Sequence, residues 1–205
     1  MTAIHHTTTG QHFHHTDRPY NWRLVLFWIA ATTFPLLVGF PILRLVSGAN
    51  TVSGIWRTVV LVLPFFTQWL VLFSFVPRPR WWPLLSIIGL VLGGMAAGVV
   101  RLWFRLESPI TLALLQGLCV GVLSGLLQGS TLRHGVAGAV FWFVASTLAW
   151  GSAFTITWWD GLYGWSSDPL LRLAITGAVM GITYSIPTGL MLAWLANRQR
   201  RNLSE

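Results

Sequence analysis

Two stretches carry residue types that do chemistry elsewhere. The first is Gly121-Val122-Leu123-Ser124-Gly125, which sets a hydroxyl among small residues inside an apolar run. A serine there is a nucleophile only if a base takes its proton. The only histidine outside the N-terminal tail is His134, between two apolar runs, and the last run offers Tyr184 as its nearest ionisable side chain. The second stretch is His12-Phe13-His14-His15, with His5-His6 upstream. Imidazoles so spaced can hold zinc, copper or nickel, or serve as axial ligands to haem or a chlorophyll-type pigment. His12, His14 and His15 are the metal candidates, helped by no cysteine and by Asp17 alone. The simpler use of such a tail is to lie along the membrane or a neighbour.

The elements that must position these residues are transmembrane helices. The chain is 54% hydrophobic and only 9% charged, against about 25% charged in a soluble domain. Apolar runs of the length needed to cross about 30 Å of hydrocarbon recur along it. They predict six spans over 24–46, 55–76, 82–104, 109–132, 135–157 and 169–196. The breaks have physical causes: Pro77-Arg78-Pro79-Arg80 cannot continue a helix, Ser108-Pro109 puts proline at a helix start, and Ser166-Ser167-Asp168-Pro169 reads as an N-cap. The expected organisation is a His-rich tail over 1–23, a six-helix domain over 24–196 and a short basic tail over 197–205. The late first apolar run argues against a secretory signal.

All 13 basic residues are arginine, and the net charge is +8. They sit at the ends of the apolar runs, where they anchor helices, so nucleic acid is not an expected partner. The side shared by both termini holds Arg18, Arg23, Arg78, Arg80, Arg133, Arg198, Arg200 and Arg201; the other holds Arg44, Arg57, Arg101, Arg105 and Arg172. That excess predicts a multi-pass protein of the bacterial inner membrane with both termini cytoplasmic. Many tryptophans, such as Trp22, Trp81, Trp103 and Trp158, fall near span ends, as an interfacial belt does. Trp28, Trp69, Trp142 and Trp150 lie deeper. There they either line a pigment, lipid or quinone or face lipid.

An offset of 60 residues aligns Trp22, Trp82 and Trp142, Gln68 with Gln128, Ser86 with Ser146, and Leu72, Leu132 and Leu192. It predicts three parallel two-helix repeats. The offset also pairs two stripes of small residues, Gly117, Gly121, Gly125 and Gly129 with Gly177, Gly181, Ser185 and Gly189. Residues four apart share a helix face, so each stripe is a groove that admits another backbone. Whether that backbone belongs to this chain or to a partner is open at this stage.

Around Ser124 the chain resembles the Gly-x-Ser-Gly motif of rhomboid intramembrane proteases, with Val122 in place of the first glycine. Six spans and the Trp56-Arg57 pair extend the likeness. That resemblance implies a histidine base on the sixth span, and none is present, so protease activity is not expected. Gln68-Trp69-Leu70-Val71-Leu72, followed by Trp82 and Ser86, and the partner run from Gln128 to Trp142 and Ser146, resemble a group of uncharacterised bacterial polytopic proteins. Those carry repeated hairpins of the form Gly-x-x-Gln-Trp-x-x-Leu-Arg, then Trp, then Ser-x-x-Gly. The likeness implies architecture and no activity.

No carboxylate lies deep in a span; the deep polar groups are Gln68, Gln116, Gln128, Thr183 and Tyr184, which interhelical hydrogen bonds account for. The expectation is therefore a non-catalytic accessory or assembly subunit of a larger bacterial membrane complex of respiratory or photosynthetic electron transfer. Its partners would be other integral membrane subunits and lipids, with no cofactor required. The alternatives are a small channel or carrier for a neutral solute or ion, and a pigment- or quinone-binding membrane protein.

Overall fold

The computed structural model describes residues 21–47, 54–75, 79–132, 135–163 and 166–202. They form six helices: α1 (Trp22–Ser47), α2 (Gly54–Phe75), α3 (Trp82–Phe104), α4 (Pro109–Gly129), α5 (Gly135–Tyr163) and α6 (Pro169–Asn202). All six are long and apolar enough to cross a membrane. His12, His14 and His15 lie outside the described residues. Among the described residues no group of three His, Cys, Asp or Glu comes together.

The helix ends follow from local chemistry. Asp168 Oδ1 accepts from the backbone N–H groups of Leu170 at 2.7 Å and Leu171 at 3.1 Å. It thereby satisfies donors that the first turn of α6 leaves free. Pro109 opens α4, where its missing N–H costs nothing. Arg105 ends α3 in the left-handed conformation, φ 50° and ψ 43°, and its N–H turns back to the Arg101 carbonyl. α5 and α6 run past the predicted ends at 157 and 196. Asp160-Gly161 does not stop α5, and Asn197 to Asn202 contains no proline or glycine to stop α6.

Each helix packs on its neighbours in the chain, and α6 packs on α1, so the six helices close into a ring. The α4–α5 and α1–α6 pairs are the most extensive contacts and α2–α3 the least. Inside the ring lie two buried clusters. One, where α1, α3 and α5 begin, contains Leu24, Trp28, Leu72, Trp82, Leu132, Trp142 and Leu192. The other contains Leu36, Phe65, Leu90, Val120, Trp150, Met180 and Tyr184. The outside carries exposed Leu26, Phe34, Phe73, Met95, Leu102 and Leu148, a surface suited to lipid.

Candidate functional site

Where the odd helices begin, three indoles meet at the axis. Trp28 of α1, Trp82 of α3 and Trp142 of α5 are fully buried. Their ring centroids are 5.8, 6.1 and 5.5 Å apart, and each pair is edge-to-face. That geometry suits aromatic quadrupoles. Each indole N–H reaches a polar side chain on an even helix. Trp28 donates to Thr188 Oγ1 at 3.0 Å, Trp82 to Gln68 Oε1 at 3.5 Å and Trp142 to Gln128 Oε1 at 3.2 Å.

The two glutamines pass the connection on. Gln68 Nε2 donates to Thr32 Oγ1 at 2.9 Å, and Gln128 Nε2 to Ser86 Oγ at 2.8 Å. Those hydroxyls in turn donate to the carbonyls of Trp28 and Trp82 one helical turn earlier. Hydrogen bonds thus run from Trp142 through Gln128, Ser86, Trp82, Gln68, Thr32 and Trp28 to Thr188, touching all six helices. The chain does not close. Thr188 has no amide with which to reach Ser146, and Ser146 Oγ is buried without a partner.

Of the deep polar groups named from sequence, Gln68, Gln128 and Tyr184 lie at the axis, Gln116 is exposed and Thr183 is half-buried. Trp22 is 58% exposed, and Trp28 takes the place expected of it. Thr32, Thr188 and Trp28 escaped sequence reasoning as members of one site. The signal was present: Trp28-x3-Thr32 has the spacing of Trp82-x3-Ser86 and Trp142-x3-Ser146.

The small-residue stripes are filled within the chain. A Cβ on Gly117 would strike the Trp150 carbonyl, one on Gly121 would lie 2.6 Å from Thr147 Cα, and one on Gly125 would lie 3.1 Å from Phe143 Cα. Gly129 meets Ala139 at an ordinary 3.4 Å. α4 therefore seats α5. On α6, Gly177 faces the Leu36 carbonyl, Gly181 would lie 2.6 Å from Thr33 Cα, and Gly189 backs onto Trp28. Ser185, between them in the stripe, is fully buried. α6 therefore seats α1. These contacts leave neither stripe as an argument for a separate partner.

Ser124 faces a different neighbour. Gly89 of α3 lies so close that a Cβ there would be 2.5 Å from Ser124 Cα, and Gly93 is pressed likewise on Val120. The Ser124 hydroxyl is buried without a hydrogen-bond partner among the described residues.

The class these features define is a multi-pass helical membrane protein, a six-helix ring held by tryptophan hydrogen bonds and glycine contacts. No protein-family model matches the chain, and neither does any curated protein sequence or solved structure.

Proposed function

We propose that the protein is a non-catalytic accessory or assembly subunit of a larger bacterial membrane complex, one of respiratory or photosynthetic electron transfer. The observation that carries this reading is the outer face of α3. Gly94 and Gly98 have open space out to 4 Å where a Cβ would stand. Met95, Leu102 and Trp103 beside them are 63%, 80% and 81% exposed. A helix of another subunit can approach such a face closely, and lipid supplies no competing hydrophobic force.

The axis argues against the carrier alternative. It is filled by Trp28, Trp82 and Trp142, whose polar atoms are engaged with neighbouring helices.

We also infer a construction from three parallel two-helix units, α1–α2, α3–α4 and α5–α6. The equivalent positions of Trp28, Trp82 and Trp142, of Gln68, Gln128 and Thr188, and of Leu72, Leu132 and Leu192 support it. The spacing is 60 residues throughout the even helices, whereas Trp28 and Trp82 stand 54 apart. The first unit is thus six residues shorter. The arginine excess supports cytoplasmic termini in an inner membrane.

The test is purification from native membranes in mild detergent. Stable co-migration with redox or pigment subunits is expected, weakened by a Gly98→Leu substitution that blocks the α3 face. A lone protein that moves solute across liposomes would sink the reading.

A further inference from the structure

Around the second buried cluster lie polar atoms that no described residue satisfies. Trp150 Nε1, Tyr184 Oη and Ser146 Oγ are all buried without a hydrogen-bond partner, on residues 4%, 2% and 0% exposed. They converge. The Tyr184 hydroxyl faces Gln128, Ser146, Gln68 and Trp150, and none of them meets it in hydrogen-bond geometry. The Trp150 and Tyr184 rings stand 4.6 Å apart. Both border a cavity of about 10 Å³ whose wall also includes Thr32, Leu61, Phe65 and Gln68. One water-sized oxygen needs roughly 10–15 Å³.

We propose that Trp150 and Tyr184, with Ser146 beside Tyr184, form a binding site for a single uncharged oxygen. It comes either from a water molecule or from the carbonyl or hydroxyl head of a small lipid-soluble molecule. The donor set selects this chemistry. An indole N–H only donates, so it requires an acceptor, while the two hydroxyls either give or receive. One oxygen can accept from Trp150 and Tyr184, both of which line the cavity. No charged side chain borders the cavity, and an ion at this depth would carry a heavy desolvation cost.

The site arises where the third unit departs from the other two. Thr188 stands in place of glutamine, and Tyr184 lies one turn earlier on α6. The cavity is lined on one side by α2. That helix carries Leu61, Phe65 and Trp69 where α4 carries Gly121, Gly125 and Gly129. α2 and α3 are the least extensively packed neighbours in the ring. This inference does not depend on the accessory-subunit reading.

The experiment uses full-length protein with ¹⁵N-labelled indoles, purified with native lipid and reconstituted in nanodiscs. Trp150→Phe assigns the Trp150 N–H resonance. That resonance is expected among those of the bonded indoles Trp28 and Trp142, and it should move upfield in Tyr184→Phe. Magnetisation exchange with water at this N–H would identify water as the source. A shift on solvent extraction, with release of a neutral molecule detected by mass spectrometry in wild type and depleted in Trp150→Phe, would identify a lipid-soluble source. The resonances of Trp28, Trp82 and Trp142 report whether the ring of helices is intact. Ser146→Ala is the second variant should Tyr184→Phe disturb them. A Trp150 N–H at an unbonded position, unmoved by either variant and by extraction, would overturn the proposal.

Discussion

The two buried clusters treat the same side chain in opposite ways. Trp28, Trp82 and Trp142 each donate an N–H to a neighbouring helix. Trp150 is packed against Phe65, Phe154 and Tyr184, with centroids 6.3, 5.6 and 4.6 Å away, and its N–H has no partner. The difference lies in the even helices. Gln68 and Gln128 offer an acceptor and a donor on one flexible stem, so each serves an indole and a hydroxyl together. Thr188 offers a single hydroxyl, serves Trp28 and leaves Ser146 alone. The first cluster is therefore a lock, whereas the second leaves Trp150 Nε1, Tyr184 Oη and Ser146 Oγ without a partner among the described residues.

The sharpest way to break this arrangement is to separate the helices that carry it. Gly93→Leu places a side chain into the backbone of α4. It should destabilise by at least the about 1–3 kcal/mol typical of overpacking, read as loss of folded monomer in equilibrium unfolding. Gly94→Leu, one residue on, enters open space and should leave stability of the isolated protein within about 0.5 kcal/mol of wild type.

Breaking the lock itself comes next. Gln128→Leu strands Trp142 Nε1 and removes the donor to Ser86 Oγ, and should cost about 1–2 kcal/mol. Gln68→Leu should cost less, because its bond from Trp82 is already 3.5 Å long. Reversal of that order in denaturant titration would show that the amides do not carry the lock.

A smaller effect tests why α6 differs from α2 and α4. Thr188→Gln alone should destabilise, since Thr188 is fully buried and a larger side chain overpacks its site. Thr188→Gln with Tyr184→Ser recreates the Ser124–Gln128 pair of α4 and should recover about 0.6 kcal/mol or more of the loss. Equal stability of the single and double variants would contradict the equivalence of α4 and α6. The smallest change is expected from Ser124→Ala. Its hydroxyl has no partner to lose, so stability should stay within about 0.5 kcal/mol of wild type.

Much of the fold was legible in the chain because burial in lipid leaves few options. Long apolar runs must be helices, and Pro109, Asp168 and the arginines mark where they end. The stripes from Gly117 to Gly129 and from Gly177 to Gly189 were legible as faces, but not their occupants. A groove four residues in period accepts any backbone, from this chain or another. The site was legible only in pieces. Gln68 with Gln128 and Ser86 with Ser146 stood out by type and offset, yet the same offset drew attention to Trp22 in place of Trp28. A fixed period cannot see that the first hairpin is six residues shorter.

By itself the sequence determined six membrane-crossing helices, their approximate limits and the small-residue faces on α4 and α6, since these depend on local composition and periodicity. Only the tertiary structure decided that α5 and α1 fill those faces. Only it showed that three indoles share one axis, and that the hydrogen-bond chain stops at Thr188. Those outcomes depend on which side chains meet across helices up to 160 residues apart, and no local pattern records such a meeting.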